Sequence, residues 1–451
     1  MGFFMKYKRI MVVGLLMLAI LAIGAVSASA DLSDNGLGVS EGQDALSIDE
    51  DANQIASGDI DESQAQTAAE DIDDSQGDTA NDGILSLDGS NDENIVGSNE
   101  LSSSPKTFTD LNNAINGNSD SDVYLDGNYT FDPSSDSRFK NGTVIDRAVT
   151  IHGNGYTLDG ANTARILYIT NSNVCLENIV FANANASQTS DYREKYGGAI
   201  NGNCSIVNCT FLNNYADQEG GAIYGNCSVI DCIFENNSAR YGGGAIMGDC
   251  SIVNCSFVKN NASTGIVYGN CSVVNCLFVN NTAGNCAGLY DIYYVENCSF
   301  VGNNASSSYG AIYSYYQNVT VINSNFTDNC ARYYAAIYGT NFTLTNCSFV
   351  GNNASSGSGG AIQVSNVIAT DCSFINNYAR YDGGAIAASG NFTNCRFANN
   401  TAQSLGGAIK TTGSVNVTDC SFENNYAGEK GGAIWGSCVV QNSNFVNNSA
   451  Y

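Results

Sequence analysis

Only two prolines, Pro105 and Pro133, one histidine, His152, and one tryptophan, Trp435, occur in 451 residues. Scarce proline suits a backbone whose N–H groups are nearly all needed in hydrogen-bonded ladders. His152 lies between Ile151 and Gly153, with no recurring Ser, Cys or carboxylate constellation around it, so a turn or surface role is read for it ahead of catalysis. Basic residues are few: 17 Lys and Arg stand against 44 Asp and Glu, a net charge of −27. Such a surface repels nucleic acid and anionic lipid headgroups, which excludes nucleic acid as an expected partner. Long apolar runs are also rare, and the main one, Ile10 to Val26, stands near the start.

That run follows Lys6, Lys8 and Arg9 and precedes Ala28-Ser29-Ala30, so residues 1–30 read as a signal peptide. The competing reading is an uncleaved anchor, and a membrane partner is expected only in that case. Residues 31–105 carry 20 acids and no Lys or Arg, with neither a period of 2 nor one of 3.6. They read as a disordered acidic linker that buries too little apolar surface to order itself.

From Lys106 the pattern changes. Phe108, Leu111, Ala114 and Ile115 fall at helical spacing, with Thr107 or Thr109 as the cap, and predict one short helix near 108–116. Short strand-like pieces follow, such as Val149-Thr150-Ile151 and Ile166-Leu167-Tyr168-Ile169, separated by turns such as Gly153-Asn154-Gly155. Residues 106–196 thus read as an N-terminal cap, its helix covering the first open rung, and the opening coils of a stacked sheet.

Residues 197–451 repeat every 21 to 25 residues. Gly-Gly-Ala-Ile begins at Gly197, Gly220, Gly243, Gly359, Gly383, Gly406 and Gly431, with worn copies at Gly265, Gly288, Gly310 and Ala335. A Phe recurs in all eleven copies, from Phe211 to Phe445, and Cys stands two residues before it in nine, as Cys209 and Cys232 do. The residue between them is mostly polar, so Cys and Phe face inward on one strand. Three residues before Phe stands Asn or Asp, as at Asn208 and Asp231, suited to a tight left-handed turn and to an amide ladder. An earlier strand has two inward columns, one starting Ile206 and Val229 and the other starting Cys204 and Cys227, with Tyr293, Val319 and Phe342 in the second. After Phe, Asn recurs at the third position and Ala at the fifth, as Asn214 and Ala216 do. Three short strands per ~23 residues at one register predict an all-β fold, a right-handed parallel β-helix solenoid of about 11–13 coils. The leucine pattern of a leucine-rich repeat is absent, and a propeller needs longer units.

The 17 cysteines admit metal, disulfide and free-thiol readings. Cys204 and Cys209 are five apart with a turn between them, which does not suit a tetrahedral metal cluster. Equivalent Cα atoms of neighbouring coils, roughly 4.8 Å apart, lie within disulfide reach. The odd total, and the exchange of Cys with Val and Phe in one column, favour buried reduced thiols. No cofactor and no metal is expected. Scattered acids and short loops show neither the paired carboxylates of a hydrolase nor a deep cleft.

Gly-Gly-Ala-Ile alternating with Phe-x-x-Asn resembles the paired motifs of chlamydial polymorphic outer-membrane proteins. Together with Phe108-Thr109-Asp110-Leu111-Asn112-Asn113-Ala114-Ile115 and Gly153-Asn154-Gly155-Tyr156-Thr157-Leu158-Asp159-Gly160, it also resembles the adhesin-like surface proteins of methanogenic archaea. The resemblance covers residues 106–451. It implies an exported, extracellular, cell-surface adhesin that binds host or microbial surface glycans or proteins without catalysis. A polysaccharide lyase or hydrolase on the same fold is the alternative. A structural envelope component that self-associates through the C-terminal rung is the third reading. The residues expected to bind follow the Ile of the repeat: Tyr224, Tyr268, Tyr313, Tyr338 and Trp435, pointing outward as aromatic platforms.

Overall fold

The computed structural model describes residues 106–187, 191 and 194–451. The signal segment and the acidic linker lie outside the described residues.

The first element is a helix, α1, at Phe108–Asn116. Thr107 caps it: its side chain accepts from the Asp110 N–H while the Asp110 carboxylate accepts from the Thr107 N–H, a reciprocal capping box. The buried carboxylate of Asp136 takes the N–H groups of Phe108 and Thr109 at 2.9 Å, along with the Thr109 hydroxyl and the Asp132 N–H. At the other end the Arg147 guanidinium donates to the carbonyls of Ile115 and Asp120, each at 2.6 Å. Phe108, Leu111 and Ile115 are fully buried on the core side, with Phe108 edge-on to Phe131 at 5.4 Å. The helix therefore covers the apolar interior of the opening coils, as its spacing predicts.

Behind it the chain winds into a parallel β-helix of three sheets with 21, 14 and 12 strands. The 14-stranded sheet carries the Phe column in register, Phe181 on Phe211, Phe211 on Phe234 and so on to Phe422 on Phe445. Neighbouring rings stack at 4.6–5.0 Å and within 10° of parallel. All but the last of these rings are fully buried, worth about 1.5–3 kcal/mol each in area removed from water. The 21-stranded sheet holds both the Gly-Gly-Ala-Ile strand and the strand of the Ile206 column. Early coils keep these as two short pieces, such as Ile223–Tyr224 and Ser228–Ile230, with Gly225, Gly248 and Gly269 between the pieces at φ 152°, 145° and 145°. From Ile312–Ile322 onward the two pieces run together as one long strand. The segment after Phe, expected only as recurring Asn and Ala, forms a sheet of its own, with Tyr215–Ala216 paired to Ser238–Ala239 and onward.

Each coil turns on left-handed residues. Asn208, Asp231, Asn254 and their equivalents sit at φ near 50°, as expected, and Asn254 donates its amide to Asp231 at 3.0 Å. A second corner at Asn213, Asn236 and Lys259 repeats that backbone at the far end of the Phe strand. The third corner uses the glycine pair. A Cβ on Gly221 would lie 2.1 Å from the Gly244 carbonyl oxygen, so the second glycine is required by contact between coils.

Asn214 and its equivalents build the tightest polar feature. Ten asparagines, from Asn214 to Asn425, are buried in one column. Each side-chain amide donates to the next coil's Asn Oδ1 at 2.8–3.1 Å and to the carbonyl of the previous coil's Phe, as Asn237 does to Asn260 and Phe211. Each Oδ1 also accepts a backbone N–H, as that of Asn237 does from Asn214. Every side-chain donor and acceptor in the column is satisfied, which is why polar groups are tolerated there.

All 17 cysteines are free. The columns expected to be buried are so, with two corrections. Tyr293, placed by spacing in an inward column, is 43 % exposed, and Ile292 is fully buried in its coil. In the last coil Cys438, Val440 and Phe445 are exposed, since no described coil stacks on them. Arg165 is buried and donates to the carbonyls of Gly197, Asn141, Glu194 and Tyr196, fixing the first full repeat to the opening coils. Burial pulls its guanidinium down to about 10, against the opposing charge of Glu194.

Candidate functional site

The residue after the repeat Ile forms one outward column of the 21-stranded sheet. In-register pairing runs Tyr168, Asn201, Tyr224, Met247, Tyr268, Tyr290, Tyr313, Tyr338, Gln363, Ala387, Lys410 and Trp435. All five expected residues lie in this column, but they do not form one surface. Tyr224 is cut off from Tyr268 by Met247 and rests instead on Tyr196, at 4.7 Å. Trp435 stands three coils beyond Gln363.

Tyr268, Tyr313 and Tyr338 do come together, in a ribbon with three tyrosines not expected there. Tyr290 sits between Tyr268 and Tyr313 at 4.5 and 4.4 Å. Tyr309 slides between Tyr313 and Tyr338, at 4.4 and 4.6 Å, and Tyr334 stacks on Tyr338 at 4.5 Å. Tyr290 was legible, since it follows Leu289 in a worn copy. Tyr309 and Tyr334 carried a fainter signal, as each immediately precedes the Gly or Ala that starts its copy. The six rings are half-buried, and burial is the leading cause of a raised phenol pKa in Tyr268, Tyr290, Tyr309, Tyr313 and Tyr338, with Tyr313 pushed up to about 12. The ribbon is thus an uncharged strip of π faces and hydroxyls across four successive coils.

At one end of the ribbon an open depression of about 360 Å³ is lined by Tyr268, Asp249, Asn270, Asp291, Tyr316 and Gln317 among others. Burial raises the carboxyl pKa of Asp291, whose Oδ1 has no hydrogen-bond partner.

A second cluster lies near the cap. His152 ends the strand Val149–His152, with Nε2 3.1 Å from Asp122 Oδ1 and Nδ1 3.0 Å from Glu177 Oε2. Its ring stacks on Tyr124 at 4.5 Å. The sequence placed His152 at a turn without carboxylate partners. Those partners are 30 and 25 residues away and are brought alongside by coil stacking. Hydrogen bonds from Ser121, then from His152, hold the Asp122 carboxyl below its usual range. The cluster ties the first three coils together across their outer face. Among the described residues no group of three or more His, Cys, Asp or Glu is arranged to hold a metal ion.

Comparison with known families agrees with this geometry. The family model for a right handed beta helix region matches residues 241–402 and 291–450. The model for the Chlamydia polymorphic membrane protein repeat matches residues 208–226 and 231–249. No curated protein matches the chain. The two matches support a right-handed β-helix repeat family, and with the three parallel sheets they define the class: a right-handed parallel β-helix of stacked short repeats.

Proposed function

We propose that the β-helical body is a surface-displayed, adhesin-like module that binds glycans on other cells through its tyrosine ribbon, without catalysis. The observation that carries this is the run of stacked rings from Tyr268 to Tyr338, half-exposed on the outer face of a sheet whose core is already complete without them. Flat, spaced aromatic faces stack on the C–H faces of sugar rings, and the phenol hydroxyls bond sugar hydroxyls. Surface display rests on the likeness of residues 208–226 and 231–249 to polymorphic membrane protein repeats, and on the export-type sequence of residues 1–30.

Glycan-array binding of the wild type and a Tyr313→Ala/Tyr338→Ala variant, beside an assay for released reducing sugar, tests the reading. Binding that falls about tenfold or more in the variant, with an unchanged melting temperature and no sugar released, is expected. Unaltered binding removes the ribbon from the account, and sugar release transfers the body to the polysaccharide-active enzymes.

A further inference from the structure

The repeat breaks its own rules most clearly beside one end of the ribbon. Three successive coils place Gly225, Gly248 and Gly269 at φ of 145–152°. A Cβ on any of them would run into the carbonyl oxygen of the coil before, at 2.2–2.3 Å, so the coils close tightly here, and Gly248 and Gly269 line a shallow furrow on the sheet. In the next coil the equivalent position is Asp291, a non-glycine residue held at φ 61°. That conformation is uncommon for a residue with a Cβ, though Asp is among those that best tolerate it. One coil further on, pairing slips between Ser314 and Asn318, and Tyr315, Tyr316 and Gln317 bulge out. Gln317 reaches back over the intervening coil and donates to Asn270 Oδ1 at 2.9 Å. The bulge is thereby pinned as a lip over the furrow, and the depression of about 360 Å³ lies beneath it.

The lining specifies a ligand class. Tyr316, 86 % exposed on the lip, and half-buried Tyr268 supply two aromatic faces. Hydrogen-bond acceptors dominate the polar groups. Asp249 Oδ1 is engaged by the Asn270 N–H at 2.8 Å, which leaves its second oxygen for another donor, and Asp291 lines the depression beside it, with its Oδ1 buried and lacking a hydrogen-bond partner. No Lys or Arg lines the depression. Aromatic faces with carboxylate acceptors fit a molecule rich in C–H faces and donor hydroxyls, and they repel uronates, sialylated sugars and sulfates. The volume lies at the low end of the roughly 300–1,000 Å³ of small-molecule sites, enough for one or two sugar rings.

We propose that this depression is a subsite for a neutral saccharide unit, held against Tyr316 and Tyr268 with its hydroxyls donating to Asp249 and Asp291. The inference rests on the reading that the body binds glycans, and it adds where the terminal unit sits and which charge class is accepted.

Titration calorimetry of the full chain with neutral, amino and uronic oligosaccharides, with and without EDTA, tests it together with Tyr316→Ala, Gln317→Ala and, at the other end of the ribbon, Tyr334→Ala. Neutral oligosaccharides should bind in preference to uronic ones. Tyr316→Ala should weaken that binding about tenfold without moving the melting temperature, since the ring is exposed, and Gln317→Ala should weaken it severalfold. Neutral binding that both lip variants leave untouched while Tyr334→Ala reduces it would overturn the subsite and leave the ribbon reading intact. Preference for uronates overturns the charge assignment, and loss of binding in EDTA overturns direct donation to the carboxylates. Absence of any saccharide binding overturns both readings together.

Discussion

At the scale of single residues, two asparagine columns of similar recurrence have opposite fates. Asn346 and its equivalents occupy exposed left-handed corners, whereas Asn329 and its equivalents are buried with every side-chain donor and acceptor engaged. Asn329→Ala leaves the Phe300 carbonyl and the amide and backbone N–H of Asn303 without their partner. At about 1–3 kcal/mol for each buried unsatisfied group, the loss is expected to exceed roughly 3 kcal/mol, measured by urea unfolding. Asn346→Gly, where φ is already positive, should cost less than about 1 kcal/mol in the same assay. The thiols behave differently again. Burial pushes Cys286 up to about 12. Cys250 also reaches about 12, chiefly through its hydrogen bond with Cys227, which a bond with Cys271 opposes and burial reinforces. The unfolded chain ionises these thiols near pH 9, so it binds fewer protons than the folded chain, and stability is expected to fall as pH rises from 9 to 12. Iodoacetamide at pH 8 should label exposed Cys438 first and spare Cys250 and Cys286, read by peptide mass spectrometry.

At the scale of elements, much of the architecture was legible because a ~23-residue period stacks like residues on like: columns of Phe, Cys and Ile declare their own register. Helix α1 was legible from Phe108, Leu111 and Ile115 with Thr107 before them. Its second cap was not, because Asp136 reaches the helix from 28 residues away. Burial works against that carboxylate, but the N–H groups of Asp132, Phe108 and Thr109, with the Thr109 hydroxyl, outweigh it and hold its pKa below the ordinary value. Its contribution is therefore present above the unfolded pKa and lost as pH falls through the folded one. Protection of the α1 amides from hydrogen exchange, relative to the free-peptide rate at the same pH, should fall in acid below about pH 4 in the wild type, and at neutral pH in Asp136→Ala. The same distance effect hid the carboxylates around His152. The ribbon was half legible for a related reason. Strand positions such as Tyr313 follow from spacing, but Tyr309 and Tyr334 enter from loops of variable length, whose return path no period dictates. Tyr293 was misplaced because its coil carries Asp291 where the coils before it carry glycine, and the chain there turns Ile292 inward instead.

At the scale of the whole β-helical body, each coil contacts little beyond its two neighbours, and it meets both with the same groups. The Phe ring that receives Phe374 on one side and Phe422 on the other belongs to Phe397, and Asn400 links Asn377 to Asn425 in the same way. Removing residues 383–405 would bring Phe374 onto Phe422 and Asn377 onto Asn425 with no mismatched surface. The shortened chain should fold and lose about 4.8 Å of height, with circular dichroism, calorimetry and small-angle scattering as the checks. Misfolding of this variant would show that coils carry position-specific information. The Phe and Asn columns thus make length a free parameter: one rung more or fewer changes how far the outer face extends, while every junction between coils stays as it was.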